Sequence, residues 1–345
     1  MIDPFGTAAL RESVLAAWRG SPTRLREDAA SEGDLVRAGY RDRLLTELAQ
    51  NAADAAAAAS VAGRMSVELD SERRILRLSN TGAALTATGV QAMAALRASG
   101  KEATADATGA VGRFGVGFTA VLAVADEIEV RSTSGSVRFS AADTARAVRE
   151  AGIEAMVVPP ALRLVWPVHT GPQAGWDTEV LLRLRGDVDP AALRASLRGE
   201  AAELLLELPA LESITVDGDE YRRAETELDG GVVEIRLSGE RWWQFATPRA
   251  RWLLPVDDMG PVQAAPDVLR APTRSDEELS LPALLVADVA MQPDRRRLLP
   301  GADLAELASG YADFARALAE SDRLVLVPAP GFPRSAADDA LRAAL

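Results

Sequence analysis

GAVGRFGVGFTAVLAVA, residues 109–125, is the stretch on which the reading of this chain turns. Glycines at 109, 112, 115 and 117 free the backbone to bring several amide groups together, and the apolar run behind them has the texture of a helix. Converging N–H groups at a helix N-terminus, with its partial positive charge, form a cradle suited to phosphate. The spacing is GxxGxG. It is neither the dinucleotide GxGxxG after a first strand nor the GxxxxGK[ST] of a P-loop. A flexible glycine turn is the plain alternative, although four glycines in nine residues are hard to explain as idle.

Two earlier segments give the cradle a context. SNTGAAL, 79–85, follows a strand-like run; Asn80 offers one acceptor and two donors, a match to the exocyclic amine and ring nitrogen of a purine. Gly82 has no side chain, so a flat ring could lie against its backbone, and an ordinary strand-to-helix turn would use the same residues. ELAQNAADA, 47–55, reads as helix. At about 100° per residue, Glu47, Asn51 and Asp54 fall within about 60° of one another, beside an apolar arc of Leu44, Leu45, Leu48 and Ala52. A carboxylate there can orient or deprotonate water, and a carboxamide oxygen is a hard ligand for Mg²⁺. A solvated polar stripe is the bland reading of the same pattern.

Composition narrows the chemistry. The chain has 345 residues, no cysteine, one histidine (His169) and a formal charge of -13. Without cysteine there are no disulfides, thiolate zinc sites, cysteine nucleophiles or iron–sulfur clusters, and one histidine excludes multi-histidine metal sites. The acidic balance argues against a nucleic-acid partner, which needs a basic face. No apolar run reaches the ~18–20 residues of a membrane span. The N-terminus MIDPFGTAALRESV lacks the basic start and apolar stretch of a secretory signal, so a cytoplasmic location is expected. Lys101 is the single lysine among 38 basic residues, in a chain otherwise biased to arginine.

The length predicts two domains. Helices are expected at 7–18, at about 41–62, at 86–97, through 112–126 after the glycines, at 189–208 and at about 302–319. A Gly-Ser-Pro break is read at 20–22. Strands are expected at 65–70, 74–80 and 177–184, with a hairpin around Ser134-Gly135. Residues 99–109 read as a loop. Short strands dominate after about 210, where the boundary is placed; Trp242 and Trp243 suit core or interface packing, and His169 suits a loop. The closing RSAADDALRAAL looks like an amphipathic helix cut mid-pattern, which leaves both a true terminus and a boundary inside a longer protein open.

ExxxNxxDA on a helix, then a strand, (D/N)xG, a loop and GxxGxG in that order resembles the Bergerat-fold ATPases, the superfamily of gyrase, heat-shock chaperones, histidine kinases and MutL. The likeness runs to the ninety-kilodalton heat-shock chaperones and the sacsin N-terminal ATPase-like domain: GRFGVGFTAVLAVADEIEV looks like their glycine box and LLTELAQNAADA like their first box. It covers about residues 40–132 and reaches DTEVLLRL, 177–184, where members place a threonine that touches adenine. The resemblance implies an α+β fold, a Bergerat two-layer sandwich of a mixed, mostly antiparallel sheet with helices on one face, over 1–210. A smaller α/β domain over 211–345 would follow, the start of a middle domain if the protein is longer.

By the same resemblance the cofactors are ATP and Mg²⁺, with slow hydrolysis closing a lid at 98–111. Glu47 would be the general base or water-orienting carboxylate. Asn51 would hold Mg²⁺ and Asp54 would help shape the nucleotide pocket. Asn80 would read the adenine amine with Gly82 under the ring, Thr178 assisting, and Leu85 and Phe118 would join the pocket. Gly112, Arg113, Phe114, Gly115, Val116 and Gly117 would supply phosphate contacts, and Lys101 would approach a phosphate. Arg295 or Arg296 would reach the terminal phosphate, as an arginine of the following domain does in the chaperones; a surface arginine cluster is the alternative. Partners would be ATP and ADP, a client protein, and a second copy in a homodimer, with no nucleic acid and no membrane. A non-hydrolysing scaffold with the same fold remains the other reading. Asn80 stands where the family has aspartate, a variation sacsin-like members share, and Ala84 stands where it has a second glycine.

Overall fold

The computed structural model describes residues 3–37, 43–95, 117–271, 274–292 and 296–345. The chain divides into two compact units, Met1–Leu204 with Leu208–Glu220, and Leu205–Glu207 with Tyr221–Leu345. The fold is α+β, a sandwich of helices on mostly antiparallel sheet.

The first unit carries α1 (Thr7–Gly20), α2 (Pro22–Arg37), α3 (Leu44–Ala59), β1 (Gly63–Asp70), β2 (Ile75–Asn80), α4 (Ala87–Ala94), β3 (Ala125–Ser132), β4 (Gly135–Ser140), α5 (Ala141–Glu150), β5 (Trp166–Val168), β6 (Thr178–Leu184), most of α6 (Pro190–Glu207) and β7 (Leu211–Val216). Its strands lie in the order β7-β1-β2-β6-β3-β4-β5. β1 and β7 run parallel and the other neighbours antiparallel.

Register explains both the core and the site. Leu69, Leu76, Leu182, Ile128 and Phe139 form one rung across β1-β2-β6-β3-β4, and Val67, Leu78, Val180, Val130 and Val137 form the next. All of these are buried, each contributing roughly 1.5–3 kcal/mol if fully withdrawn from water. The third rung is Met65, Asn80, Thr178, Ser132 and Gly135. The sheet face that is apolar for two rungs turns polar at its end. Because strand side chains alternate, the opposite face takes the charges: Arg77–Glu68 at 3.9 Å, Arg183–Glu127 at 3.4 Å and Arg131–Glu129 at 2.6 Å.

α3 lays Leu44, Leu45, Leu48, Ala49, Ala52, Ala53 and Ala56 against the core, and Ser60 in the left-handed conformation (φ 54°) ends it. Trp18, Leu25, Val148, Ile153 and Leu164 pack α1 and α2 into a satellite core. Asp28 accepts from Trp18 Nε1 at 2.9 Å and from Arg163 Nε at 3.2 Å, while Arg163 Nη1 donates to the Ala94 carbonyl at the end of α4 at 2.6 Å.

Several expected elements are shifted. The Gly-Ser-Pro break joins two helices, since Pro22 opens α2, a position where its missing N–H is no loss. The apolar run expected as helix through 126 is a 3₁₀ turn, Gly117–Ala123, with all seven residues buried, and β3 already begins at Ala125. A short fully buried run carries no period that separates helix from strand. α4 ends at Ala94, capped by Thr86, whose side chain accepts from Gly89 N; residues 96–97 lie outside the described residues. α5 has no counterpart among the expectations, although Ser140 caps it by accepting from Asp143 N at 3.2 Å.

The second unit is built on β8 (Asp219–Glu227), β9 (Val232–Leu237), β10 (Glu240–Ala246), β11 (Ala250–Asp257), β12 (Gly260–Pro261), β13 (Val268–Arg270), β14 (Arg274–Glu278) and β15 (Leu284–Ala287), with α7 (Ala305–Ala317) and α8 (Ala336–Ala344). The order is β8-β9-β10-β11-β15-β13-β14, with β12 on β11. Trp252 is fully buried, donates to the Leu307 carbonyl at 3.0 Å and meets Tyr311 edge-on at 4.8 Å. Trp243 packs against the same core. Arg223 donates to the Leu205 carbonyl and Arg251 to the Leu206 and Glu207 carbonyls, so two arginines satisfy acceptors at the C-terminal end of α6. Burial lowers the Arg251 pKa to about 10, helped by the charge of Arg223.

Candidate functional site

At the polar end of the first sheet lies a cavity of about 120 Å³. Leu78, Val130 and Val180 make its floor, the second apolar rung. α3 supplies one wall with Leu48, Asn51, Asp54, Ala55 and Ala58. Residues Ala83 to Thr86, with Gly89 and Met93 of α4, supply the other, and Phe118 borders it too. Asn80 and Thr178 sit side by side on the third rung and line the cavity. The result is an apolar slot with a few polar side chains at one end, the usual construction of a small-molecule site.

The loop 81–86 is held from three sides. Ala83 N donates to the Ala55 carbonyl of α3 at 2.8 Å and Thr81 N to the Arg64 carbonyl at 3.1 Å. Asp177 Oδ2 accepts from Gly82 N at 2.9 Å. Ser132, 3% exposed, accepts from Leu85 N at 2.9 Å and lies within hydrogen-bond reach of the Asp177 carbonyl and Thr178 Oγ1. Ser134 Oγ closes the set by donating to the Leu85 carbonyl at 2.6 Å. Asn80 Nδ2 donates to the Thr81 carbonyl at 3.2 Å, so its carboxamide offers oxygen, an acceptor, for other work.

Of the residues singled out from sequence, Asn51, Asp54, Asn80, Leu85, Phe118 and Thr178 come together around this cavity. Glu47 lies one turn before Asn51 and is buried, 2% exposed, against Gly117; neither lines the cavity. Gly82 is placed differently from the ring-stacking expectation. Its φ is +132°, it does not line the cavity, and a Cβ there would stand 2.5–2.6 Å from the backbone of Ala55 and Ala56. The missing side chain makes room for α3. Ala84 does line the cavity. Lys101, Gly112, Arg113, Phe114, Gly115, Val116 and Arg295 lie outside the described residues. Arg296 is in the second unit, exposed, with its carbonyl accepting from Asp276 N at 2.7 Å.

Sequence reasoning missed Ser132, Ser134 and Asp177, the groups that pin the loop. Ser132 stands at the polar end of EIEVRS, but nothing local pairs it with groups 45 to 47 residues away. Among the described residues no helix is long and apolar enough to cross a membrane, and no three His, Cys, Asp or Glu side chains cluster as a metal site.

No protein-family model matches the chain. The sequence is similar to the chaperone protein HtpG of Nitratidesulfovibrio vulgaris, 34% identical over 27% of this chain and 19% of that protein. The chain thus spans about a fifth of the length of the curated relative it matches.

Proposed function

We propose that the first unit is an ATP-binding module of a chaperone-like protein of the Bergerat-fold superfamily, with slow Mg²⁺-dependent hydrolysis that drives lid closure and domain rearrangement. The observation that carries the reading is the convergence of Asn51, Asp54, Asn80 and Thr178 on one apolar slot. The similarity to a chaperone supports it.

The described donor set suits the nucleotide. The slot is walled by flat and branched apolar side chains that suit a purine, and the Asn80 oxygen can accept from an exocyclic amine. Asn51 offers a carboxamide oxygen on the α3 wall, and Mg²⁺ needs only one or two protein oxygens when phosphates supply the rest. When bound, ATP supplies the phosphoryl group and Mg²⁺ neutralises the charge on its phosphates. In this proposal Glu47 orients or deprotonates the attacking water, Asn51 holds the cation and Asp54 shapes the wall. The glycine box 112–117 and Lys101 address the phosphates, and Arg295 or Arg296 steadies developing charge. The segment 98–111 would close over the nucleotide. ATP can drive that only by binding the closed state better than the open one. ADP, a client protein and a second copy of the chain are the expected partners, in the cytoplasm.

Calorimetric titration of ATP and ADP with and without Mg²⁺ tests the reading. Magnesium-dependent binding supports it. No binding at millimolar nucleotide overturns it in favour of a non-hydrolysing scaffold, the reading that Asn80 in place of a carboxylate and Ala84 in the cavity wall favour. Glu47→Ala is expected to keep binding and lose turnover, and a parental rate would remove the base assignment. Asn51→Ala is expected to lose the magnesium dependence, and an unchanged dependence would remove the ligand assignment.

A further inference from the structure

We propose that Gly117 is the positioning residue for Glu47: the hydrogen in place of a side chain at 117 leaves the seat in which the Glu47 carboxylate is held. An ideal Cβ at residue 117 would lie 1.9 Å from Glu47 Oε2, 3.0 Å from its Cδ and 3.7 Å from its Cγ, and these are its three nearest heavy atoms. Gly63 and Gly82 are tight for a different reason. At Gly82 and Gly63 the atom nearest the added Cβ is backbone, and Gly82 also has positive φ. Gly117 opens a 3₁₀ turn, a right-handed backbone that alanine adopts. What excludes alanine is the carboxylate.

The seat is enclosed. Glu47 is buried between the core residues of α3, and the 3₁₀ turn that Gly117 opens is buried throughout. Asn51, one turn further along α3, and Phe118, next to Gly117, line the cavity, while Glu47 and Gly117 themselves do not. A methyl group at 117 would meet the mobile end of a side chain. The backbone can then stay in place while the carboxylate turns out of its seat. Binding groups on the cavity wall would be untouched and the orientation of Glu47 lost.

The proposal rests on the reading of Glu47 as the water-orienting carboxylate, and two readouts separate them. Gly117→Ala is expected to lower turnover by about tenfold or more. Thermal midpoints of Gly117→Ala, Glu47→Ala and the double variant form a cycle that needs no turnover. The midpoint loss from Gly117→Ala in the parent is expected to vanish, to within about 1 °C, on the Glu47→Ala background. An equal loss on both backgrounds overturns the proposal, as does parental turnover in Gly117→Ala. If the parent itself does not hydrolyse ATP, the catalytic reading of Glu47 falls and the thermal cycle alone decides the seat. If Gly117→Ala fails to fold, recovery on the Glu47→Ala background supports the seat and failure on both overturns it.

Discussion

Replacing Gly82 by alanine separates two physical reasons for a glycine in the turn 79–85. If the residue is small so that a ring can lie on it, Gly82→Ala leaves the ligand-free protein intact and weakens nucleotide binding. The structure makes the opposite demand. At φ +132° an L-residue is strained by roughly 1–3 kcal/mol. The added Cβ would stand 2.5 Å from the Ala55 carbonyl carbon and 2.6 Å from its oxygen and from Ala56 N, all main-chain atoms of α3 that cannot turn aside. The loop must lift, and the bond from Ala83 N to the Ala55 carbonyl at 2.8 Å goes with it, worth about 0.5–1.5 kcal/mol. The sum is a loss of roughly 1.5–4.5 kcal/mol. For a unit of this size that is a fall of roughly 3–18 °C in thermal midpoint. Differential scanning calorimetry without nucleotide measures it directly. A midpoint within about 2 °C of the parent, with ATP affinity reduced, would refute the helix-contact argument and restore the ring-contact one.

Glu32 gives a pH test. Its carboxylate accepts from Ala161 N at 2.7 Å and Leu162 N at 3.0 Å, yet burial raises its pKa above the ordinary 4.5. The folded state then holds the proton more tightly than the unfolded one, so this contribution is full below about 4.5 and is lost as pH rises through the folded value. The stability difference between Glu32→Gln and the parent should move toward the variant as pH rises; a pH-independent difference contradicts the assignment. In the second unit, Arg270 and Glu207 are paired at 2.9 Å and both almost fully buried. Arg270→Ala should destabilise by about 3–5 kcal/mol in denaturant unfolding, and a loss below about 1 kcal/mol would place the pair among surface ion pairs. Leu182→Ala, in the first apolar rung, should cost about 2–5 kcal/mol without changing which residues border the cavity. Loss of nucleotide binding in a variant that remains folded would count against that separation.

The helical arc of Leu44, Leu45 and Leu48 beside Glu47, Asn51 and Asp54 was readable because 100° per residue is a local rule that the rest of the chain cannot alter. The strands at 65–70 and 74–80 were readable from an imperfect alternation of Val67, Leu69, Ile75, Leu76 and Leu78; period 2 sends Val67, Leu69, Leu76 and Leu78 to the buried face and leaves Ile75 off it. Asn80 at the polar end of that face, and its likeness to an adenine-reading position, followed from those local rules and from the order of three short motifs. What no local rule contains is the identity of the atom opposite. That Thr178 lies beside Asn80 and that Ser132 and Asp177 hold the loop depend on register and packing between distant segments. The two glycines make the distinction sharpest. Sequence marks Gly82 and Gly117 alike as places without a side chain. Tertiary structure alone decides that one makes room for a helix backbone and the other for a buried carboxylate, because the excluded volume belongs to residues 27 and 70 positions away.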